Sequence, residues 1–230
     1  MKIAGIIPAR YASQRFPGKP LALIDGQPMI RRVYEQALKA ASLSSLAVAT
    51  DDERIAEVVV GFGGRCIMTS DQHPSGTDRC AEAAAHFEDA EAIINIQGDE
   101  PRIHPEQIDQ VAALLEQSAE IATLARHVTD FNEAYHPNIV KVVTDLRGRA
   151  LYFSRSPIPS ASDNGFLHHV GIYGFRTDIL MTITRLKPGP LEIKERLEQL
   201  RWLENGYNIM VGITKLTSIS VDTPEDLKKL

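Results

Sequence analysis

Three cations stand close together near the start of the chain, directly after an apolar run. Arg10, Arg15 and Lys19 fall within ten residues, in the stretch IIPARYASQRFPGKP. The apolar run ends at Pro8, so the cations are predicted to lie in a loop that follows a buried strand. A guanidinium offers a planar fork to phosphate oxygens, and an ammonium adds a compact charge. A solvated basic loop would have the same composition, but the proline breaks beside the strand favour a phosphate site.

Carboxylates follow two other predicted strands. Asp51 and Asp52 come after the strand 45–50, and Asp99, within QGDEP, follows the strand 92–97. Because ligands bind beyond the carboxyl ends of parallel strands, these groups are predicted to face the cations across one crevice. Cations opposite carboxylates suit a polyphosphate bound together with a divalent metal. Asp99 is the first candidate metal ligand, since a carboxylate on a tight turn at the end of a buried strand is costly unless paired.

Two common nucleotide-binding motifs do not fit the first loop. The Walker A spacing GxxxxGK[ST] is absent, and no GxGxxG follows the first strand. A dehydrogenase built on the same kind of sheet is therefore disfavoured, because it needs that glycine fingerprint to bind a dinucleotide.

Strand-like and helical patterns alternate through the first half of the chain. Strands are predicted at 2–8, 45–50, 92–97 and 121–128, and helices at 29–40, 52–62, 78–87 and after Pro105. Pro28 and Thr77 are expected to start two of these helices, as N1 and N-cap residues. This rhythm predicts an α/β fold with a mostly parallel sheet, because parallel strands need helical crossovers.

The rhythm changes from Asn138 onward. The strand-like stretches NIVKVVTD, ALYFSRSPIP and HHVGIYGFR follow one another with turns between them, which predicts an antiparallel insertion or edge. A helix is predicted over 190–205, with Ile193, Leu197 and Leu200 along one buried stripe. Two short strands and a final helix opened by DTPE are predicted to follow.

Composition limits the class of protein. The chain has 230 residues, of which 43% are hydrophobic and 24% charged, and its net charge of −5 argues against a nucleic-acid partner. No apolar run approaches the ~20 residues of a membrane span. Cys66 and Cys80 form no CxxC and are too few for a disulfide framework, which predicts a reducing, cytoplasmic location. Without repeats or linkers, residues 1–230 are predicted to form a single domain.

The motifs together resemble one family. IIPARYASQRFPGKPL, VATDDERI, HPSGTDR, INIQGDEP, ALYFSRSPIP, HVGIYGF, LEQLRWLENG and VDTPEDL follow the order seen in cytidylyltransferases that activate 3-deoxy-manno-octulosonate (KDO). The resemblance implies a Rossmann-like nucleotide-diphospho-sugar transferase fold. It implies the reaction CTP + KDO → CMP-KDO + pyrophosphate, with Mg2+, for lipopolysaccharide synthesis. It also implies a homodimer, with a nucleotide-binding part at about 1–137 and a sugar-binding and dimerisation part at about 138–221.

The resemblance implies roles for individual residues on the nucleotide side. The implied nucleotide-binding residues are Pro8, Ala9, Arg10, Arg15, Lys19, Ser75, Gly76, Thr77, Arg79, Gln97 and Asp99. Arg10, Lys19 and Asp99 are implied to be catalytic. Asp222 is implied to join Asp99 at Mg2+, whereas the residues alone favour a helix N-cap at Asp222, before Thr-Pro-Glu.

The resemblance implies a second set of residues on the sugar side. The implied sugar-binding residues are Gln97, Arg155, His169, Tyr173, Glu198 and Gln199. On the residues alone, Arg155 follows a strand, where its fork can meet a carboxylate or a hydroxyl. His169 and Tyr173 are four apart on a strand and share a face, as two packing residues also would. His168 is expected to have no chemical role.

Two departures from the family pattern concern the metal site and the acceptor. Ser220 stands where the family commonly has glycine, which makes the metal role implied for Asp222 less secure than that of Asp99. The span 159–168, expected to cover the sugar, is short, so an 8-amino analogue of KDO is an alternative acceptor. A sialic-acid-type or other 2-keto sugar acid is a further alternative within the same class of enzyme. The alternative outside enzymes is a nucleotide-binding regulator without turnover, and Lys19, Asp99 and Arg155 speak against it.

Overall fold

The computed structural model of the chain describes residues 1–12, 15–160 and 165–229. The helices are α1 (Met29–Ala37), α2 (Glu53–Gly61), α3 (Gly76–Ala84), α4 (Pro105–Glu116), α5 (Thr177–Ile183), α6 (Pro190–Glu195) and α7 (Gln199–Glu204). The strands are β1 (Ile3–Ala9), β2 (Leu23–Ile24), β3 (Gln27–Pro28), β4 (Ser45–Thr50), β5 (Cys66–Met68), β6 (Ala92–Asn95), β7 (Ile121–Val128), β8 (Lys141–Thr144), β9 (Ala150–Ser154), β10 (Phe166–Arg176) and β11 (Ile209–Thr214). Short 3-10 helices span Lys19–Leu21, Phe131–Tyr135 and Pro224–Lys229.

Nine of the described strands form one mixed sheet. Seven run in the order β11-β7-β10-β6-β1-β4-β5, while β8 pairs with β10 and β9 pairs with β8. The central strand β1 is parallel to both β4 and β6, and β10 runs antiparallel between β6 and β7. The prediction of an α/β fold with a mostly parallel sheet and an antiparallel insertion is confirmed. The carboxyl ends of β1 and β6 consequently meet at one edge of the sheet.

Helices cover both faces of this sheet. In β1, Ala4 and Ile6 belong to the core that includes residues of α3, α5 and α7. Ile3 and Ile7 point to the opposite face, where the core includes residues of α1, α2 and α4. Successive side chains of a strand alternate between faces, so a strand buried on both sides needs apolar residues at nearly every position. This requirement explains the continuous apolar runs in the sequence.

The helix predicted over 190–205 is wrong as a single element. Arg196 adopts a left-handed conformation, with φ 54 and ψ 48, and separates α6 from α7. The break cancels the helical spacing between Ile193 and the leucines that follow it. Ile193 is therefore 66% exposed, whereas Leu197 and Leu200 are buried.

Several other boundaries differ from the predictions. The N-cap of α3 is Ser75, whose hydroxyl accepts from the Asp78 N–H, so the predicted cap at Thr77 is wrong. Pro28 occupies the N-cap of α1 instead of N1. One strand, β11, stands where two were predicted, and the predicted final helix is a 3-10 helix. Neither α5 nor β5 was predicted.

Candidate active site

Two cavities open beside the carboxyl ends of β1 and β6. The first has a volume of about 250 Å³, and the second a volume of about 550 Å³. The first is lined by Pro8, Ala9, Arg10, Arg15, Lys19, Pro20, His73, Ser75, Gly76, Arg79, Gln97, Gly98, Asp99 and Asp222. Every predicted nucleotide-binding residue except Thr77 is in this lining. The structure therefore brings the predicted set together, as expected for loops at one edge of a sheet.

The second cavity lies against the antiparallel part of the sheet. Its lining includes three predicted sugar-binding residues, Gln97, Arg155 and His169. The remaining lining residues are Asp99, Glu100, Arg126, Asn138, Ile139, Val140, His168, Val170, Gly171, Leu216, Thr217, Ser218, Ser220 and Asp222. Gln97, Asp99 and Asp222 line both cavities. Two ligands bound one in each cavity would meet at these three side chains.

A cluster of ion pairs occupies this meeting point. The Lys19 ammonium lies 2.7 Å from an Asp99 oxygen and 3.9 Å from an Asp222 oxygen, and Arg15 lies 2.9 Å from the same Asp222 oxygen. Lys19 also donates to the Val221 carbonyl at 2.9 Å, while the Val221 N–H donates to the Asp99 carbonyl at 2.8 Å. Strand-end loops from three parts of the chain are thus joined around one ammonium.

Two glycines allow the loops to approach this closely. Gly18 has φ +71, and a Cβ there would lie 3.1 Å from the Tyr11 ring, over which the loop folds back. A Cβ on Gly98 would lie 2.8 Å from the Pro8 carbonyl oxygen, closer than real Cβ contacts come. Glycine at both positions lets Lys19 and Asp99 converge.

Asp222 does not use its carboxylate to cap the final helix. The Asp222 carboxylate forms ion pairs with Arg15 and Lys19. The backbone N–H groups of Asp222 and Thr223 instead donate to a carboxylate oxygen of Asp226, at 3.1 and 2.9 Å. The interpretation of Asp222 as a cap is wrong, and its carboxylate is directed towards the two cavities.

Asp51 and Asp52 were predicted to face the crevice, and neither lines the two cavities. Asp52 caps α2 by accepting from the Arg54 N–H and also pairs with the Arg54 side chain, which lowers the pKa of Asp52. Asp51 lies 3.4 Å from the buried Arg79 guanidinium, which also donates to Thr69. Asp52 therefore caps a helix and Asp51 pairs with a buried arginine. The prediction that these two carboxylates face the crevice is wrong.

Glu198 lies behind the first turn of α3. The Ser75 hydroxyl donates to one of its oxygens at 2.8 Å, and the Thr77 hydroxyl donates to the other at 2.7 Å. Burial raises the pKa of Glu198, and these hydroxyls oppose the rise. Glu198 lines neither cavity and instead positions the α3 terminus that forms a wall of the first cavity. Its role towards a sugar stays a prediction.

Tyr173 and Gln199 are also buried outside both cavity linings. The Tyr173 ring packs against the rings of Trp202, Phe175 and His169, with centroids 5.1, 5.9 and 5.3 Å away. His169 itself reaches the second cavity, and its Nε2 lies 3.0 Å from the Thr123 hydroxyl. Burial lowers the pKa of His169 to about 3, so its ring is neutral at physiological pH.

Arg155 lines the second cavity but its guanidinium is bound to the backbone. It donates to the carbonyl oxygens of Glu195 at 3.0 Å, Pro137 at 2.9 Å and Arg196 at 3.4 Å. The Arg155 guanidinium is therefore not free, as had been predicted, but bound to backbone oxygens. It ties the end of α6 to the segments beside it.

Sequence reasoning missed three ionisable residues in the lining of the second cavity, Glu100, Arg126 and His168. Glu100 is buried, and burial raises its pKa to about 7, against a hydrogen bond with Ser218. Arg126 and His168 lie opposite each other on β7 and β10. Arg126 could have been found because it is a cation near the carboxyl end of a buried apolar strand. Glu100 could have been found because it is the neighbour of Asp99 in the sequence.

The described residues offer a limited metal site. They contain no group of three or more His, Cys, Asp or Glu side chains that could hold an ion. Asp99 and Asp222, both facing the Lys19 ammonium, are a pair of hard oxygen ligands. Mg2+ commonly takes one or two carboxylates and completes its shell with water and substrate phosphates, so this pair fits the ion.

Two further observations concern parts of the chain beyond the cavities. None of the helices in the described ranges has the length and apolar character needed to cross a membrane.

Residues 161–164, within the short segment expected to cover the sugar, lie outside the described residues.

Comparison with known proteins gives a consistent result. Residues 4–213 match the cytidylyltransferase family. The chain is 52% identical to a 3-deoxy-manno-octulosonate cytidylyltransferase of Geobacter metallireducens, over 100% of this chain and 96% of the relative. It is 51% identical to the protein of that name from Parabacteroides distasonis, over the same shares. The solved structure of a CMP:2-keto-3-deoxy-manno-octonic acid synthetase complexed with CTP superposes with a TM-score of 0.94, at 44% identity, over 100% of this chain and 96% of the other.

Proposed function

The chain belongs to the cytidylyltransferase family, and on that premise we propose that it transfers CMP from CTP to the anomeric hydroxyl of KDO. The products are CMP-KDO and pyrophosphate. The observation that carries the proposal is the meeting of two cavities at Gln97, Asp99 and Asp222, because a transfer reaction needs two substrates in contact at one point.

The first cavity supplies positive charge for a triphosphate. Arg10, Arg15 and Lys19 line it, together with the buried Arg79. Arginine binds phosphate oxygens with a planar fork, and these contacts strengthen where negative charge develops on a leaving pyrophosphate. The chain therefore needs to supply little covalent chemistry for this reaction.

The reacting atoms belong to the two substrates. The anomeric oxygen of the acceptor, held in the second cavity, forms a bond to the α-phosphorus as the bond from that phosphorus to the oxygen of pyrophosphate breaks. The hydroxyl proton passes to solvent water, and pyrophosphate departs in line with the attack, taking the electron pair of the broken bond. The shared lining residues fix the approach of the hydroxyl to the phosphorus.

Asp99 and Asp222 are the residues that would hold Mg2+ in this proposal. When bound, the ion supplies positive charge beside the phosphate oxygens. Lys19 now lies between the two carboxylates and holds them towards the first cavity. Because Lys19 also lines the first cavity, its ammonium can release a carboxylate and bind a phosphate oxygen without a large movement.

The proposal includes a homodimer. Leu151 on β9 is 61% exposed and Ile193 on α6 is exposed to a similar degree, and the two elements are joined by a hydrogen bond from Ser154 to Glu195. Exposed apolar side chains on neighbouring elements suit a contact between subunits. Light scattering at assay concentration is expected to give twice the mass of the chain, and a monomer would remove this part of the proposal.

We include a cytoplasmic location as well. The two cysteines, Cys66 and Cys80, are free thiols, which suits a reducing compartment.

A substrate panel tests the reaction directly. Pyrophosphate release is measured with CTP, UTP or ATP, each with KDO, 8-amino-KDO, sialic acid or no acceptor. We expect release only with CTP and a 2-keto-3-deoxy sugar acid, and loss of release when EDTA removes Mg2+. Release without an acceptor, or equal rates with UTP, would contradict the proposal. CTP binding by titration without turnover would instead indicate a regulator.

A further inference from the structure

Arg126 is the cation of the second cavity whose guanidinium has no partner among the described residues. It stands near the carboxyl end of β7, half-buried, and lines the second cavity. No hydrogen bond or ion pair joins its guanidinium to any residue in the described ranges. A half-buried cation in a cavity gains most from a ligand that accepts its hydrogen bonds.

The other cations on this side of the cavity are already bound to the backbone. Arg155 donates to three carbonyl oxygens. Lys141 is fully buried, and its ammonium donates to the carbonyl oxygens of His136, Ile139 and Arg155. Arg155 holds the shape of the cavity wall and Lys141 is buried outside the lining, so Arg126 is the cationic donor available to a ligand.

The carboxylates and the free arginine of the second cavity come from different elements. Asp99, Glu100 and Asp222 come from the QGDEP turn and the tail, and Asp99 and Asp222 also line the first cavity. Arg126 stands opposite His168, which in turn stands opposite Lys141 on β8. Burial lowers the pKa of His168 to about 4, so its ring is neutral at physiological pH and leaves the local charge to arginine.

Arg126 is also displaced sideways from the reacting centre. The strand β10 separates β7 from β6, at whose end Asp99 lies. Two strand spacings correspond to about 10 Å, close to the length of an eight-carbon acid. An acceptor whose anomeric hydroxyl lies near Asp99 therefore extends towards Arg126.

We infer that Arg126 is a specificity-determining residue of the second cavity. Its guanidinium donates to an acceptor oxygen remote from the reacting hydroxyl, and its charge disfavours an ammonium at that place. The inference rests on the proposed function, since it concerns the acceptor of that reaction. It predicts that the enzyme prefers KDO, which ends in a hydroxyl, to the 8-amino acid, which ends in an ammonium at neutral pH.

Steady-state kinetics with both acceptors test the inference. Arg126→Gln is expected to raise KM for KDO by about 10- to 100-fold, the loss of one hydrogen bond from a charged group, with KM for CTP unchanged. Arg126→Glu is expected to raise the ratio of kcat/KM for 8-amino-KDO over KDO by at least about 10-fold. Arg147→Gln is the matched control, because Arg147 is exposed on a turn outside both cavities, and it is expected to match the wild type.

The outcomes separate this inference from the proposed function. If the wild type releases no pyrophosphate with any acceptor, the proposed function fails. If the wild type works but prefers the 8-amino acid, or Arg126→Gln leaves KM for KDO unchanged, this inference alone fails. A change in KM for CTP equal to that for KDO also overturns it, because it shows a general structural effect. If Arg126→Gln does not fold, Arg126→Lys is measured instead. A raised KM for KDO with an unchanged KM for CTP would support the inference, and an unchanged KM for KDO would overturn it.

Discussion

The first and second cavities share three side chains but hold their charges in different ways. In the first, side chains pair with side chains, as Lys19 does with Asp99 and Arg15 with Asp222. In the second, Arg155 binds backbone carbonyls, as does the buried Lys141, which adjoins the lining residue Val140. A side-chain pair near a cavity can exchange partners when a charged ligand arrives, whereas a cation bound to carbonyls keeps the backbone in place. The paired charges of the first cavity are therefore available for chemistry, whereas in the second cavity Arg155 maintains the shape of the wall and leaves Arg126 for a ligand.

The largest effect is expected from removing a charge of the first cavity. Asp99→Asn keeps the size of the side chain but removes its charge, which is proposed to act at Mg2+ and faces Lys19. We expect kcat to fall about 1,000-fold, measured as pyrophosphate release at saturating CTP and KDO. Asp71→Asn is the control, since Asp71 is exposed and its described contact is with Gln72. A rate for Asp99→Asn within a few-fold of this control would contradict the claim that the charges of the first cavity act in the reaction.

Asp222→Asn is expected to have the next largest effect, about 100-fold in kcat, because one carboxylate of the pair remains. The loss should be deepest at limiting Mg2+, since the amide binds the ion more weakly. The Mg2+ dependence of turnover measures this, with Glu225→Gln as a control that removes an exposed carboxylate from the same segment. Full turnover at limiting Mg2+ would disprove the metal role of Asp222.

A charge of the second cavity is expected to affect stability first. Arg155→Gln removes hydrogen bonds to three backbone carbonyls and should lower the free energy of unfolding by about 2 kcal/mol. Urea unfolding measures this loss, and titration should show wild-type affinity for CTP in the folded variant. An unchanged urea midpoint would contradict the structural role of Arg155, and weakened CTP binding would show that the two cavities are not independent.

The smallest effect concerns His168 in the second cavity. Its pKa is lowered to about 4 from 6.5, chiefly by burial, with Arg126 and Lys141 adding to the effect. Between these pH values the unfolded chain binds a proton that the folded chain does not, so the free energy of unfolding falls as pH falls. His168→Gln should flatten this decline by about 1 to 2 kcal/mol between pH 6.5 and pH 4. Parallel unfolding curves for variant and wild type across this range would refute it.

The same contrast explains what could be predicted from the sequence. The first cavity is built from short motifs at strand ends, so Lys19 and Asp99 could be placed together once parallel strands were recognised. The second cavity depends on pairings across β7, β10 and β8, which no local pattern specifies. Arg126 was therefore missed, although it lies in a strand whose limits were correctly predicted.

The errors on individual residues have local physical causes. Arg196 adopts a left-handed conformation, which is uncommon for residues other than glycine. The sequence therefore carried no sign of the break after α6. Asp51 was assigned to the crevice because its pairing with Arg79 crosses from β4 to α3 and is invisible in the sequence. Asp52 was assigned there as well, although its role as the cap of α2 was readable from its position before Glu53.

The most direct test of the central claim is a crystal structure of the protein soaked with CTP and Mn2+. The ion serves as an anomalous marker for the Mg2+ site. We predict an anomalous peak within coordination distance of both Asp99 and Asp222, with the triphosphate in the first cavity against Arg10, Arg15 and Lys19. A triphosphate outside the first cavity, or a metal peak away from both carboxylates, would contradict the account.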